Sequence, residues 1–140
     1  MEALEKLTRR QVDALRAIAA AETPQRGAPL NAIAASLRVR APSALGHVTP
    51  LEGLGLVVRH RGKSRLSPRG RTTLLEYERH HRIAESLFSR AGLSTAEVCA
   101  AARQVDLALS HRMIERLCQA EDHPRTCPHG EPIPDCDDAP

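Results

Sequence analysis

Aromatic residues are almost absent from this chain of 140 residues, which has one tyrosine, one phenylalanine and no tryptophan. Proteins that bind single-stranded nucleic acid stack its bases on aromatic side chains, so this scarcity argues against that class of function. Hydrophobic residues nevertheless make up 41% of the sequence. The core must therefore consist of Ala, Leu, Val and Ile, which suits closely packed helices.

Long hydrophobic runs are also missing. No segment approaches the roughly 18 to 20 apolar residues that cross a membrane, and the charges scattered through residues 1–20 are unlike a signal peptide. We therefore expect a cytoplasmic protein with no membrane partner. Because that compartment is reducing, the four cysteines are expected to be free thiols or metal ligands rather than disulfides.

Positive charge is concentrated in residues 23–75. This segment has nine Lys and Arg residues and one acid, Glu52, for a net charge of +8, whereas the rest of the chain carries −5. A field concentrated in this way is typical of a surface that meets phosphate groups. We therefore expect the segment to bind double-stranded DNA.

The apolar pattern in the first part of the chain predicts three short helices. Thr8 is a candidate cap for the first, whose apolar residues follow the three-and-four spacing of a helix. Residues 30–37 form the second and residues 42–54 the third, with Pro42 in the first turn, where a missing N–H costs nothing. Pro50 lies inside the third helix, removes a backbone hydrogen bond and is expected to kink it.

The segments after the third helix complete the pattern of a winged helix-turn-helix. Residues 56–59 and 64–66 alternate as two strands, and the basic turn between them is the wing. Further helices are predicted over residues 71–90, 95–109 and 110–120. The expected fold is mainly α, with a winged helix-turn-helix followed by a helical dimerisation domain. The predicted domains are residues 1–71, which bind DNA, residues 72–120, which dimerise and sense metal, and a Cys/His-containing tail, residues 121–140.

The candidate DNA-binding residues lie at the start of the third helix and on the wing. A recognition helix turns its N-terminal residues toward base edges in the major groove, while basic side chains hold phosphates. The candidates are Arg40, Pro42, Ser43, His47, Arg61, Lys63 and Arg65. Winged helices also mediate protein contacts, so a protein-interaction module is an open alternative.

Six short motifs occur in a characteristic order along the chain. They are Leu30–Leu37, Ala41–Ser43, Glu52–Val58, Leu66–Arg71, His80–Glu85 and Cys127–Pro134. In this order they resemble the diphtheria toxin repressor and manganese transport regulator family of metal-dependent regulators. The resemblance implies a homodimer joined by the helices after the wing, an iron or manganese ion, and a palindromic DNA operator. The length suggests the short form without an SH3-like domain.

The resemblance also implies a set of metal ligands. They are Asp13, His81, Glu85, Cys99 and Asp106. Arg103 and Leu107 occupy positions where the family has further ligands, and the cation of Arg103 would repel a metal ion. We therefore expect an altered site that responds poorly to manganese, which prefers oxygen and nitrogen donors. The alternative is an ordinary exposed His81–Glu85 helix pair with Cys99 as a small buried hydrophobe.

The end of the chain offers a second set of candidate ligands. Three cysteines recur every nine residues with two histidines between them: Cys118, His123, Cys127, His129 and Cys136. These donors suit zinc, iron or an iron–sulfur cluster. Because the tail is not expected to form a regular element or a core, a metal or cluster would tether it. The alternative is that these are incidental thiols and residues of the family's turn sequence.

The function expected from these patterns is a metal-responsive transcriptional regulator that acts as a homodimer. We expect it to repress iron or manganese homeostasis genes. The expected cofactor is an ion of iron, zinc or manganese. An iron–sulfur or redox sensor on the same scaffold is the alternative within regulation. An enzyme is not expected, because the sequence shows no nucleophile–base arrangement, phosphate-binding loop or open catalytic metal site.

Overall fold

A computed structural model describes residues 2–135. This part of the chain is mainly helical with one small antiparallel sheet, which confirms the predicted fold class at that level. The elements are α1 Glu2–Glu5, α2 Arg9–Ala21, β1 Ala28–Pro29, α3 Leu30–Leu37, α4 Ala41–Gly53, β2 Val57–His60, β3 Lys63–Leu66, α5 Pro68–Arg90, α6 Thr95–Arg103 and α7 His111–Ala120. Within the described residues, no helix is both long and apolar enough to cross a membrane.

The chain divides into two compact units. Residues 6–74 form the N-terminal unit, and residues 75–135, together with 3–5, form the C-terminal unit. Helix α5 begins in the first unit and continues in the second. The boundaries predicted for a DNA-binding domain, a dimerisation domain and a tail stay predictions about function.

Helix α2 begins at a capping box. The Thr8 hydroxyl accepts a hydrogen bond from the Gln11 amide at 3.2 Å, and the Gln11 side chain accepts one from the Thr8 amide at 2.9 Å. Two of the amides that a helix start leaves unpaired are thereby satisfied. Val12, Leu15 and Ile18 are fully or almost fully buried on the helix that packs against α3 and α4. The helix capped by Thr8 is confirmed.

The sheet has three strands in the order β1-β3-β2. Strand β1, which the sequence pattern did not predict, pairs through Ala28 with Ser64 of β3. Strands β2 and β3 are joined by a tight turn with His60 opposite Lys63. Arg61 and Gly62 have φ values of 52° and 75°, as the twist-matched two-residue turn of a hairpin requires. The predicted pair of strands around a basic turn is confirmed.

Helix α4 runs through Pro50 to Gly53. Proline lacks an amide hydrogen, so the carbonyl of Gly46 loses its usual helical donor. The Pro50 carbonyl still accepts a hydrogen bond from the Leu54 amide at 3.0 Å. The proline stands in the last turn and does not end the helix.

Helix α5 begins at Pro68, three residues before the predicted start at Arg71. The Ser67 hydroxyl donates to the Gly55 carbonyl at 2.6 Å and accepts from the Gly70 amide at 3.0 Å. A Cβ atom on Gly70 would lie 2.0 Å from the Leu56 carbonyl oxygen. Only glycine therefore allows the first turn of α5 to pass so close to residues 55–56.

Helix α6 ends at Arg103, so the prediction of a helix to residue 109 is wrong. Residues 104–108 form turns, in which the Asp106 amide donates to the Ala102 carbonyl at 2.9 Å. The Asp106 carboxylate accepts a hydrogen bond from the Tyr77 hydroxyl at 2.8 Å and is fully buried. This buried hydrogen bond holds residues 104–108 in their turn conformation, and α6 does not continue through them. Helix α7 begins after Ser110, which caps it through the Met113 amide.

The tail contributes to a core, which corrects the expectation that only a metal could tether it. Cys127 and Ile133 are buried together with Ile83, Ile114 and Cys118. The backbone of the tail also pairs with itself through a bridge between residues 126 and 132. Apolar burial and backbone pairing therefore hold residues 127–133 in place without a metal. Residues 136–140, including the candidate ligand Cys136, lie outside the described residues.

Candidate metal centre and nucleic-acid interface

Three candidate ligands meet where α5 faces α6. His81 and Glu85 are one turn apart on α5, with His81 Nε2 3.5 Å from Glu85 Oε1. The sulfur of Cys99, on α6, lies 3.7 Å from the same His81 nitrogen. The three donor atoms lie within 4.8 Å of one another. The structure thus brings together three of the five ligands that the resemblance implied.

Asp106 contacts His81 from the other side of the imidazole ring. The carboxylate oxygen Oδ2 is 2.8 Å from His81 Nδ1 and also accepts the hydrogen bond of the Tyr77 hydroxyl. A carboxylate in this position holds the proton on Nδ1 and leaves Nε2 as the metal-binding atom. In this structure Asp106 orients a ligand and stands outside the group of donor atoms.

Glu85 serves a second group as well. Its oxygen Oε2 lies 3.0 Å from His129 Nδ1, and the donor atoms of Glu85, Cys127 and His129 also lie within 4.8 Å of one another. The side chains of Glu85 and His81 are only 4% and 12% exposed. The alternative of an ordinary exposed helix pair is therefore wrong.

The turn that carries Cys127 and His129 is built by its own backbone. The Cys127 amide donates to the Glu131 carbonyl, and the Gly130 amide donates to the Cys127 carbonyl, both at 2.9 Å. Gly130 has a φ of 84°, which favours glycine. The guanidinium of Arg82 on α5 donates to the Pro132 carbonyl at 2.6 Å. These contacts hold the turn against the helix that carries Glu85.

The candidate ligands at the end of the chain are divided between two places. Cys127 and His129 join Glu85, as described above, whereas the Cys118 sulfur lies 3.4 Å from His123 Nδ1 and Cys118 is part of the apolar cluster. The three cysteines among the described residues are free thiols. Each group of metal-ligand type found in that part of the chain contains at most one thiol.

Three further positions entered the expectation for the sensing site: Asp13 as a ligand, and Arg103 and Leu107 as replacements of ligands. Asp13 lies on α2 in the N-terminal unit, and its role as a ligand stays a prediction. Arg103 is the last residue of α6, four residues after Cys99. Leu107 is half-buried in the turns that follow and offers no donor atom.

A further group of candidate metal ligands was not predicted from the sequence, although Glu76 and His80 have the same four-residue helical spacing as His81 and Glu85. It comprises Glu76, His80 and His111. His80 is 2% exposed, and its pKa is lowered to about 4 by burial and then by the neighbouring charges of His111 and Arg79, while Asp106 acts in the opposite direction. Its imidazole is therefore neutral at physiological pH.

The candidate nucleic-acid interface in the N-terminal unit starts at α4. Arg40 is the residue just before this helix, and Arg40, Pro42 and Ser43 are all exposed. His47 is half-buried one turn further along. The predicted recognition residues thus stand at an accessible helix start, where side chains and backbone amides can approach phosphate groups.

The basic residues of the hairpin between β2 and β3 have different surroundings. Arg61 is exposed at the tip and Lys63 is half-buried. The guanidinium of Arg65 donates to the Thr23 carbonyl at 2.7 Å. Arg65 therefore ties the hairpin to the turn after α2, and its contact with DNA stays a prediction.

Comparisons with known proteins agree with this geometry. Residues 67–135 match the family model described as iron dependent repressor, metal binding and dimerisation domain. A hypothetical protein from Sulfolobus solfataricus is 28% identical over 91% of this chain and 99% of its own, with a TM-score of 0.84. IdeR from T. acidophilum is 29% identical over 93% of this chain and 61% of its own, with a TM-score of 0.70.

A manganese-dependent transcriptional repressor solved in complex with manganese is also 29% identical, over 91% of this chain and 59% of its own, with a TM-score of 0.76. This chain therefore spans about three fifths of the length of these two repressors. No curated protein matches its sequence. The matches confirm the predicted resemblance to the metal-dependent repressors.

Proposed function

We propose, from the iron-dependent repressor domain that residues 67–135 match, that this protein is a metal-responsive, DNA-binding transcriptional regulator. The observation that carries the proposal is the shared carboxylate of Glu85, which joins His81 and Cys99 on one side to Cys127 and His129 on the other. A carboxylate this deeply buried costs free energy unless positive charge compensates it. A divalent cation supplies that charge.

The donor set fits a transition metal. It offers two imidazoles, two thiols and one carboxylate. The imidazoles and thiols are borderline and soft donors, and because they outnumber the hard carboxylate they favour zinc or ferrous iron over manganese. The solved repressor with 29% identity was captured with manganese, so a preference for zinc or iron would distinguish this chain from it. A bound ion neutralises Glu85 and links α5, α6 and the turn at residues 127–131.

The DNA-binding part of the proposal rests on the N-terminal unit. Helices α3 and α4 and the hairpin of β2 and β3 have the element order of a winged helix-turn-helix, and the segment from residue 23 to 75 carries a net charge of +8. Exposed Arg40 and Ser43 begin α4, and Arg61 is exposed on the hairpin. We assign α4 to the major groove and the hairpin to the backbone or minor groove.

The homodimer part rests on an apolar groove in the C-terminal unit. The groove holds about 760 Å³ and is lined by apolar residues of α5, α7 and the turns between α6 and α7, including Leu87, Phe88, Leu109, Met113 and Leu117. Met113 is 51% exposed. A groove of this kind in a region that matches a dimerisation domain favours a second copy of the chain as its occupant, and two copies would bind a palindrome.

Two alternatives lack comparable support. An iron–sulfur cluster is held mainly by cysteine thiolates, whereas each ligand group in the described residues has at most one thiol. A winged helix that only contacts proteins would leave the buried carboxylate of Glu85 without a role. Repression of metal-homeostasis genes is therefore the proposed function, because it gives a role to both units.

The test uses the full chain purified without oxygen. Double-stranded DNA selected from a random library in the presence of zinc or ferrous ions serves as the probe. Glu85→Gln removes the charge that the metal compensates, and Glu78→Gln is the matched control, because Glu78 lies on the same helix and pairs only weakly with Arg82 at 3.7 Å. Elemental analysis and fluorescence polarisation measure bound metal and DNA affinity.

The native protein and Glu78→Gln should retain metal and bind the selected DNA more tightly when metal is present. Glu85→Gln should lose metal affinity by at least about tenfold and lose the metal-dependent part of DNA binding. If the native protein binds the selected DNA equally well with metal and with a chelator, the proposed metal response is wrong. If neither form prefers the selected DNA to random DNA, the proposed DNA-binding function is wrong.

A further inference from the structure

Glu76, His80 and His111 form a second group of metal-ligand type, separate from the residues around Glu85. Glu76 and His80 are one turn apart on α5, and His111 is the first residue of α7. Glu76 Oε1 lies 3.5 Å from His111 Nδ1 and 3.8 Å from His80 Nε2. Ligand atoms bound to one tetrahedral zinc ion lie about 3.4 Å apart. The three donors therefore stand close to the spacing that zinc requires.

The environment of His80 is the second observation that points to an ion. His80 is 2% exposed, and neither of its ring nitrogens makes a hydrogen bond of normal geometry. Buried polar groups in folded proteins almost always have a partner. Because its Nε2 faces the Glu76 carboxylate, an ion held by both would give this imidazole its partner.

The charges around the group also suit a cation. Arg79 is close to His80, but it forms an ion pair with Glu115, which offsets its charge. Glu115 Oε1 also lies 3.7 Å from His111 Nε2. A carboxylate behind the outer nitrogen of a ligating histidine is the arrangement that fixes the ring in metal sites. The carboxylate of Glu76, which contacts both imidazoles, contributes negative charge at the group.

We propose that Glu76, His80 and His111 bind a second divalent ion of the zinc class, which clamps the middle of α5 to the start of α7. Two imidazoles and a carboxylate are typical donors for zinc or cobalt. This site has no thiol, whereas the group around Glu85 includes Cys99 and Cys127. The two sites therefore differ in a property that a spectrum detects.

Cobalt(II) is the probe that separates the two sites. In a Cys99→Ser/Cys127→Ser/Glu85→Gln variant, which removes both thiols and the carboxylate shared by the first site, cobalt should lose the near-ultraviolet band of sulfur-to-cobalt charge transfer but keep weaker visible bands from Glu76, His80 and His111. Adding Glu76→Gln or His111→Gln to that variant should abolish the remaining visible bands. Persistence of those bands unchanged would contradict the proposal.

Zinc stoichiometry in the otherwise native chain is the second measurement. Glu76→Gln and His111→Gln should each lose one equivalent of tightly bound zinc, or weaken that equivalent by at least about tenfold, in calorimetric titration. His60→Gln, which changes an exposed histidine on β2, should bind zinc like the native protein. His111 is partly exposed, so its variant is expected to fold, which circular dichroism checks. Unchanged stoichiometry and affinity in both variants would overturn the second site.

Discussion

The two units of this chain bury different kinds of side chain. The core of residues 6–74 is aliphatic, and its buried polar residues are uncharged: Ser64, Ser67 and Thr73. The shielded carboxylate of Glu22 in this unit is matched, since Arg71 lies 2.8 Å from one oxygen and the Leu66 amide donates to the other. The C-terminal unit, in contrast, buries ionisable groups: Arg79, His80, Glu85, Asp106 and Glu121.

This difference in buried ionisable groups indicates which unit a bound ligand would stabilise. Removing a charge from water costs several kcal/mol unless a partner compensates it. Asp106 has Tyr77 and His81 as partners, but neither the carboxylate oxygens of Glu121 nor the ring nitrogens of His80 make a hydrogen bond of normal geometry. We infer that the N-terminal unit reaches its stability from its own core, and that the C-terminal unit gains stability from bound metal.

The largest expected effect is a loss of stability in the N-terminal unit that leaves the candidate metal centre unchanged. Gly70→Ala places a methyl group 2.0 Å from the Leu56 carbonyl oxygen and should destabilise the unit by about 3 kcal/mol. Gly46→Ala is the control, because nothing lies within 4 Å of the added Cβ, and it should be neutral or stabilising by up to about 1 kcal/mol. Thermal unfolding measures both. Equal stability of the two variants would contradict the close packing at Gly70.

The next effect weakens the C-terminal unit through a residue that touches no ion. Asp106→Asn removes the charge that orients His81, so zinc affinity should fall by about 10- to 100-fold while stoichiometry is kept. Asp122→Asn is the control, because Asp122 is exposed and has a φ of 58° that asparagine tolerates. Zinc titration compares them. Native affinity in Asp106→Asn would show that the buried contact has no influence on metal binding.

A smaller effect distinguishes two roles of the basic residues in the hairpin of the N-terminal unit, namely contact with DNA and stabilisation of the fold. Lys63→Ala should reduce the slope of log affinity for DNA against log salt by about one, as expected for one lost phosphate contact. Arg65→Ala should instead lower thermal stability, because it removes the hydrogen bond that ties the hairpin to the Thr23 carbonyl. Binding at several salt concentrations and thermal unfolding separate the two roles. A slope change in Arg65→Ala alone would reverse the assignment.

A substitution of Arg40 distinguishes sequence-specific from nonspecific DNA binding at the same interface. Because Arg40 stands at the exposed start of α4, Arg40→Ala should weaken the selected DNA more than random DNA, by about 1 to 3 kcal/mol of discrimination. Competition between selected and random duplexes measures the ratio of affinities. An equal loss for both duplexes would assign Arg40 to a phosphate.

The smallest effect concerns Glu121. Burial raises the pKa of this carboxyl, and the charge of Arg90 offsets only part of the shift. A raised pKa means that ionisation is less favourable in the folded state, so stability falls as the pH rises from the unfolded pKa of about 4.3 through the folded value. Glu121→Gln should therefore raise the unfolding midpoint at neutral pH and not in acid. An unchanged midpoint at neutral pH would contradict the shift.

Local signals predicted the parts of this structure that depend on neighbours in sequence. Thr8 caps α2 as expected, because a cap is complete within four residues. The turn between β2 and β3 is equally local. The missed start of α5, in contrast, depends on the approach of Gly70 to Leu56, which no short pattern contains.

The candidate metal centre was predictable in its residue types and not in its grouping. The spacing of His81 and Glu85 reveals a shared helix face, but the contact of Glu85 with His129 joins residues far apart in sequence. The two candidate sets that the sequence kept separate therefore meet at one carboxylate. The burial of Ile133 of the tail against Ile83 and Ile114 was not predicted for the same reason.

Hydrogen exchange of the full chain, with zinc and with a chelator, tests most directly the claim that metal stabilises only the C-terminal unit. At a zinc concentration of about 100 times the dissociation constant, amides in α5 after residue 75, in α6 and in residues 127–133 should gain up to about 2.7 kcal/mol of protection. Amides of α2, α3 and α4 should be unchanged. Equal gains in both units, or no gain in the C-terminal unit, would contradict the account.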